Sequence, residues 1–217
     1  MLTTEGFGVG ARTSARRDAD AASTNGSDAG SHAQRLLAAM SESIAEHGYA
    51  HTTVAEIVRR ARASRRTFYE CFPDREAALV ALLTEANEQM VQAISAAVDP
   101  GAPWDRQVRQ AVEAWIDRAE TQPALTVTWI RDVPSLGAAA RSLQRHAMQG
   151  FIDMVRALSS TPELRAAGIE PVSRVQAIML IGGLRELTAI TVEAGGRLRD
   201  VAEDAVQSAI ALVRPDF

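Results

Sequence analysis

The spacing of apolar residues along the chain predicts a protein made of α-helices. From Ser31 onward, apolar side chains recur at steps of three and four residues, which places them on one face of a helix. In the first such stretch, the face consists of Leu36, Leu37, Met40, Ile44 and His47. Gly48 follows directly, and a glycine in this place is typical of a helix end.

Residues 1–30 lack this spacing. They are rich in Gly, Ala, Ser, Thr and Asp, and no large apolar residue follows Val9. This composition predicts a flexible N-terminal arm. Arg12, Arg16 and Arg17 suggest a second hypothesis, weak contacts with phosphate groups, which the aspartates beside them oppose.

Two short helices are predicted after Gly48. Thr53 and Glu56 have the spacing of a capping box, and Ser64 is placed to cap the next helix. The apolar positions of the first of these helices are Val54, Ile57, Val58 and Ala61. In the second, Phe68 is expected to fill a small three-helix core. Two short helices with a break near Arg62 predict a helix-turn-helix, whose second helix fits a DNA major groove.

The same region concentrates positive charge. Five arginines lie within eight positions, with no acidic residue among them: Arg59, Arg60, Arg62, Arg65 and Arg66. Residues 31–75 carry more arginines than acids, whereas residues 76–217 carry more acids than arginines, so the net charge of -4 conceals one basic end. The cluster fits DNA contact, or it is a solvated face in a chain whose 23 basic residues are all arginine.

Residues 33–83 resemble the DNA-binding domain of the TetR family of bacterial transcriptional regulators. The matched positions are Gly48, Tyr49, Thr52, Thr53, Val54, Ile57, Ala61, Ser64, Thr67, Phe68, Tyr69, Phe72, Arg75, Glu76 and Leu79. The resemblance implies an all-α fold of about nine helices. It also implies a DNA-binding head at residues 31–75 and a ligand-binding and dimerisation body at residues 76–217.

The candidate DNA contacts combine this resemblance with the chemistry of the side chains. By resemblance, Thr53, Tyr69 and Arg75 contact phosphate groups, and Ser64 and Thr67 belong to the recognition helix. Arginine side chains suit guanine O6 and N7, and hydroxyl groups suit phosphate oxygens. The complete set is Thr53, Arg62, Ser64, Arg65, Arg66, Thr67, Tyr69 and Arg75.

Three of these positions depart from the family pattern. The family often has glycine where this chain has Arg62 and Arg66, and lysine is commoner at Arg75. An arginine in a left-handed turn costs about 1 kcal/mol. Either the turn near Arg62 is built differently, or attraction to phosphate offsets the strain.

The body is predicted to begin with a long helix from Asp74 to Val98. Because this helix leaves the head and enters the body, a shift at its far end is expected to change the spacing of two heads in a dimer. The later helices enclose all three tryptophans, which fits either a packed core or a pocket for an apolar or amphipathic small molecule. The candidate ligand contacts are Trp104, Trp115, Trp129, Met148, Phe151 and Met154.

The last two predicted helices fit a homodimer interface, which is where the family forms one. The first of them is apolar on most sides, and adjacent glycines allow two helices to approach closely. The candidate interface residues are Met179, Gly182, Gly183, Leu187, Ile190, Val201 and Ala205.

No catalytic residue, metal site or cofactor is predicted. Cys71 is the only cysteine, so an intrachain disulfide and a cysteine metal cluster are excluded. Motifs of the HExxH, GxSxG, P-loop and dinucleotide-binding kinds are absent from the sequence. A membrane segment and a signal peptide are not expected either, which favours the cytoplasm.

These features predict a ligand-responsive transcriptional regulator. We expect a repressor that binds a pseudo-palindromic operator in double-stranded DNA as a homodimer. Binding of a small molecule is expected to release the repressor from the operator. The alternative is a DNA-binding regulator that is controlled by a protein partner or that acts without a small-molecule ligand.

Overall fold

The computed structural model of the chain describes residues 12–166 and 170–213, and all regular elements within these ranges are helical. The α-helices are α1 (Arg12–His47), α2 (Val54–Arg60), α3 (Arg65–Cys71), α4 (Arg75–Ala97), α5 (Trp104–Thr121), α6 (Pro123–Val127), α7 (Ala138–Leu158), α8 (Pro162–Ala166), α9 (Arg174–Glu193) and α10 (Ala202–Val213). The remaining helical elements are short: a π-helical turn at Thr128–Asp132 and 3₁₀-helical turns at Tyr49–His51, Val133–Ser135 and Leu198–Val201. The predicted all-α fold is confirmed.

Helix α1 begins earlier than its apolar face predicts. Its backbone is helical from Arg12, whereas the apolar spacing predicted a helix only from Ser31. The flexibility of residues 1–30 stays a prediction. Alanine and arginine are frequent in this stretch and favour helix without any amphipathic pattern, and no proline interrupts it. Residues 1–11 lie outside the described ranges.

The head is built around Phe68, which is fully buried between α1, α2 and α3, as predicted. The largest side chains buried with it are Leu36, Met40, Ile44, Ile57 and Leu79. The same apolar cluster continues into Leu125, Val133 and Ala140 of the body. A shared core of this kind holds the head on the body through packing as well as through the chain.

Side chains cap the helices of the head. Thr53 Oγ1 accepts from the Glu56 backbone N–H at 3.2 Å, and Ser64 Oγ accepts from the Thr67 N–H at 3.0 Å. Asp74 Oδ1 caps α4 by accepting from the Ala77 N–H at 2.7 Å. These oxygens satisfy backbone donors that no helical carbonyl can reach, which fixes where each helix begins.

The body packs around Trp115 of α5. Its indole Nε1–H donates to Thr188 Oγ1 of α9 at 3.2 Å, and its ring lies 5.4 Å from the ring of Phe151 on α7. Helix α4 packs on both α5 and α7, and α10 packs on α5. Helix α4 contributes to the core of the head through Leu79 and to the core of the body through Ile94, so it is one of the elements that join the two.

Helix α9 is long and apolar enough to cross a membrane by length and composition, with a mean hydropathy of 1.4. Two features distinguish it from a membrane span. Arg185 and Glu186 lie in its central turns, and one side packs on α6, α7 and α10. These features are those of a helix within a bundle that leaves one face exposed.

Candidate DNA-binding surface and ligand cavities

The recognition helix of the helix-turn-helix is α3, and its outer side is exposed. Arg65 is exposed, and Tyr69 keeps 56% of its surface accessible despite its aromatic ring. Arg66 is also exposed, but its Nε donates to Glu70 Oε1 at 2.8 Å. Arg65 and Tyr69 are therefore the side chains of α3 that are best placed to meet another surface.

The turn between α2 and α3 contains Arg62 in a left-handed conformation, with φ of 50°. The Ala63 N–H donates to the Val58 carbonyl at 2.9 Å across this turn, which is a common way to end a helix. The left-handed turn expected from the resemblance is thus present, with the strain that a side chain brings to it. The exposed Arg62 side chain lies just before the N-terminus of α3.

Two arginines of the basic cluster are occupied inside the head. Arg59 binds both carboxylate oxygens of Glu56, at 2.9 and 2.6 Å. Arg60 binds Glu56 at 2.6 Å and also Glu46 of α1, so it links α1 to α2. The hydrogen bonds from Arg59 and then Arg60 lower the pKa of Glu56 to about 2. The free charge of the cluster is consequently carried by Arg62 and Arg65.

The side-chain oxygens of Thr53, Ser64 and Thr67 act first within the head. Thr53 and Ser64 are the caps described above, and Thr67 Oγ1 lies 2.9 Å from Ser64 Oγ. The second half of the predicted capping box is missing, because the Glu56 carboxylate is held by arginines instead of the Thr53 N–H. Thr53 and Ser64 remain exposed, so each oxygen can accept from the helix and still face a partner.

Arg75 already has partners within the head, and its predicted phosphate contact stays a prediction. Its Nη1 donates to the Thr52 carbonyl at 2.7 Å, and its guanidinium lies over the Tyr49 ring. The side chain is half-buried and joins the first turn of α4 to the segment before α2. In this structure Arg75 positions α4 on the head.

Two cavities in the described part of the body are both lined by α4, α5, α7 and α9. The first, which we call the apolar cavity, has a volume of about 110 Å³ and runs to α8. Its wall is almost entirely hydrocarbon and aromatic, including Ile94, Val98, Trp104, Trp115, Phe151 and Met154. Gln107 lines it too, but its amide N–H groups are used by the carbonyls of Pro100 and Ala102. The apolar cavity suits a hydrophobic molecule or chain.

The second cavity, which we call the arginine cavity, has a volume of about 60 Å³ and lies nearer the head. It shares Trp115 and Phe151 with the apolar cavity, so these two rings form the wall between them. Its polar lining includes Arg118 and Arg185. Sequence reasoning missed Arg185, although a charged residue in the inward row of an apolar helix was a usable signal.

The structure brings most of the predicted ligand contacts together. Trp104 and Met154 line the apolar cavity, Trp129 lines the arginine cavity, and Trp115 and Phe151 line both. Met148 packs in the body core beside these cavities and lines neither of them. Their role as ligand contacts stays a prediction.

The predicted dimer residues divide between an exposed face and the core. On α9, Met179 and Ile190 are 58% and 54% exposed, and the glycines 182 and 183 have no neighbour where a Cβ would stand. Leu187 and Val201 are half-buried, whereas Ala205 is buried within the chain. Ala205 was therefore placed on the wrong side of α10, whose inward face it shares with Val206 and Ala209.

Comparison with known proteins agrees with this architecture. Residues 36–82 match the family model of bacterial regulatory proteins of the tetR family. No curated protein matches the sequence. Three solved structures, all below 25% identity, have the same fold.

The transcriptional regulator FadR from Bacillus subtilis, solved in complex with stearoyl-CoA, is 16% identical with a TM-score of 0.71, and the match covers 85% of this chain and 99% of that one. A TetR transcription regulator from Haloarcula marismortui is 16% identical with a TM-score of 0.72, over 85% and 97% of the two chains. A bacterial regulatory protein of the tetR family from Rhodococcus RHA1 is 21% identical with a TM-score of 0.64, over 86% and 98%. Residues 36–82 are therefore a DNA-binding domain of the tetR family of bacterial regulatory proteins, and the chain shares the fold of these three solved structures.

Proposed function

We propose that the chain is a ligand-responsive repressor that binds its operator as a homodimer. The observation that carries this proposal is the path of α4. The helix begins at Arg75, which is bonded to the head, and its later residues line both body cavities. A molecule that enters either cavity touches the same rigid helix that positions the head.

A second contact ties the head to the cavity walls. Glu76, in the first turn of α4, accepts a hydrogen bond from the Gly137 N–H at 3.2 Å. Gly137 precedes α7, and Phe151 of that helix lines both cavities. A displacement of α7 by a ligand therefore acts on α4 at its head end. Coupling of this kind is typically 1 to 3 kcal/mol, which lowers operator affinity by about 5- to 150-fold.

The homodimer is supported by the exposed face of α9. Large apolar side chains lie on it unprotected, namely Val175, Ile178, Met179 and Ile190. The open glycines 182 and 183 lie between them and permit close approach of a second helix. An apolar face of this size is unusual on a monomer and is typical of an interface. A second copy is the occupant we propose, since a pseudo-palindromic operator needs two heads about 34 Å apart.

The ligand class follows from the cavity walls. Hydrocarbon and aromatic side chains dominate both cavities, so the effector is apolar or amphipathic. The fold accommodates such a molecule in at least one relative, since Bacillus subtilis FadR was solved in complex with stearoyl-CoA.

The proposal is tested by DNA binding to the region upstream of the chain's own gene, measured by fluorescence anisotropy at several salt concentrations. We expect Arg65→Ala to lower operator affinity about 10-fold or more and to relax the choice of base, and Tyr69→Phe to weaken binding about equally on all sequences. Arg106→Ala is the matched control, because Arg106 is an exposed arginine on α5, outside the head. Wild-type affinity in both head variants would place the DNA surface elsewhere.

Ligand control is tested on the same complex. Apolar and amphipathic molecules that raise the melting temperature of the free protein should also release it from the operator. The proposal fails if no small molecule both raises the melting temperature and releases the protein from the operator. If a protein from the same cell causes that release instead, the regulator is controlled by a protein partner.

A further inference from the structure

Arg185 is a half-buried charged residue on the inward side of α9. It follows Ile181 by four residues and precedes Thr188 by three, and both of those side chains are buried, so the three share one face of the helix. An apolar residue is the ordinary occupant of such a position, because moving a guanidinium out of water is costly. Packing of the helix alone gives no reason for a charge there.

The guanidinium of Arg185 has no partner in the part of the chain that the structure describes. Its Nε is buried without a hydrogen bond. The adjacent Glu186 does not serve it, because Arg131 holds that carboxylate at 2.8 Å. Burial lowers the pKa of Arg185, whereas bound carboxylates raise the pKa of Arg131. A guanidinium nevertheless stays protonated in proteins, so an unpaired positive charge faces this cavity.

The rest of the arginine cavity has the same sign of charge. Arg118 also lines it and is hydrogen-bonded to the neutral side chains of Gln89 and Thr121. No aspartate or glutamate is among the described residues that line it. The remaining wall is largely apolar and includes Met90 and Trp129. A positive group beside an apolar wall is complementary to a small anion with an apolar part.

We propose that the arginine cavity binds an organic carboxylate, with its oxygens at Arg185 and its apolar part against Met90 and Trp129. The planar guanidinium presents two N–H groups side by side, which matches the two oxygens of a carboxylate. A neutral molecule of the same length leaves the charge of Arg185 unpaired, so the site selects by charge. This inference rests on the proposed ligand-responsive function and specifies the chemical class of the effector.

The position of the site also connects it to the head. Four lining residues, Leu83, Ala86, Asn87 and Met90, belong to α4. A carboxylate at Arg185 therefore places its apolar part against the helix that Arg75 joins to the head. Arg185 itself is a binding residue in α9, so a bound anion bridges α9 and α4.

The experiment uses octanoate and 1-octanol, which share a chain length and differ in the charged head. Their binding to the full chain is measured by titration calorimetry and by the change in tryptophan emission, since Trp115 and Trp129 both line the cavity. We expect the wild-type protein to bind octanoate about 10-fold or more tightly than 1-octanol, the size of one charge-assisted hydrogen bond. In Arg185→Met the preference should vanish while 1-octanol still binds, and Arg185→Lys should retain part of it.

Arg106→Met is the matched control, because Arg106 is exposed on α5 and lines neither cavity, and it should behave as the wild type. The proposal is overturned if octanoate does not bind, if 1-octanol binds as tightly in the wild type, or if Arg185→Met keeps the preference. If Arg185→Met does not fold, the comparison of octanoate with 1-octanol on the wild-type protein still tests whether the site prefers a carboxylate. If a neutral effector releases the protein from the operator while octanoate does not bind, the proposed ligand-responsive function stands and the carboxylate site is excluded.

Discussion

The guanidinium carbon of Arg75 lies 4.4 Å from the centre of the Tyr49 ring. This stacking, together with the hydrogen bond to the Thr52 carbonyl, joins α4 to the head at a point where the sequence suggested a phosphate contact. A cation over an aromatic face is worth about 0.5 to 2 kcal/mol, depending on how far water is excluded. We therefore expect Arg75→Ala and Tyr49→Leu to be non-additive, with a coupling of about 1 kcal/mol in urea unfolding of the two single variants and the double variant.

The two roles of Arg75 differ in their dependence on salt. When a residue that contacts phosphate is removed, the slope of log affinity for DNA against log salt concentration becomes smaller in magnitude by about one. A residue that only positions α4 weakens binding and leaves the slope unchanged. We expect the second result for Arg75→Ala, and a reduced slope would restore the phosphate contact.

The left-handed turn at Arg62 predicts a stabilising substitution. Arg62→Gly and Arg62→Ala both remove the guanidinium, but only glycine relieves the backbone strain. After allowance for the greater freedom of glycine in the unfolded chain, we expect the glycine variant to be about 0.5 to 1 kcal/mol more stable than the alanine variant in urea unfolding. Equal stabilities would mean that the turn relaxes without cost.

The same pair of variants separates stability from DNA affinity. Since both lack the exposed side chain beside α3, both should bind the operator more weakly than the wild type and to the same extent. A loss confined to one variant would point to the shape of the turn instead of the charge of Arg62.

The lowered pKa of Glu56 predicts a change of stability with pH. Because the folded value is about 2 and the ordinary value is 4.5, the carboxylate stabilises the fold above about pH 4.5. This contribution is lost as the pH falls from about 4.5 towards 2. Glu56→Gln should lower the melting temperature at pH 7, and the difference from the wild type should shrink at about pH 2. Glu88→Gln, at an exposed position on α4, is the control and should show neither effect.

The exposed face of α9 predicts a variant with altered assembly. Met179→Asp places a carboxylate in the centre of the proposed interface on both subunits, and it should weaken dimerisation about 100-fold or more. Light scattering after gel filtration measures the mass directly. Ser95→Asp, at an exposed position on α4, adds the same charge elsewhere and should leave the mass unchanged. A Met179→Asp protein that stays dimeric would exclude this face.

The elements predicted from sequence are those that depend on local patterns. Apolar spacing located the inward residues of the head, such as Phe68, and short-range chemistry located the caps at Thr53 and Ser64. The start of α1 was missed because residues 12–30 lack the apolar spacing from which the helix was predicted. Ala205 was misplaced because small residues on several sides of α10 leave its orientation open.

The charges of the site were less predictable than its helices. Arg60 and its partner Glu46 are fourteen positions apart, so only the packing of α2 on α1 brings them together. The basic cluster consequently appeared richer in free charge than it is. Arg185 was overlooked because its proposed role depends on the absence of a partner among the described residues, and a sequence does not show which partners are absent.

The hydrogen bond between Trp115 and Thr188 gives the wall between the two cavities a mechanical threshold. Trp115 and Phe151 separate the cavities, and the indole cannot swing aside without giving up a bond worth about 1 kcal/mol. Under the proposed ligand control, a short effector fits into one compartment, whereas a longer one has to break this bond to pass the partition. The limit on effector length is then set by this hydrogen bond, and we expect Thr188→Val to shift that limit towards longer molecules.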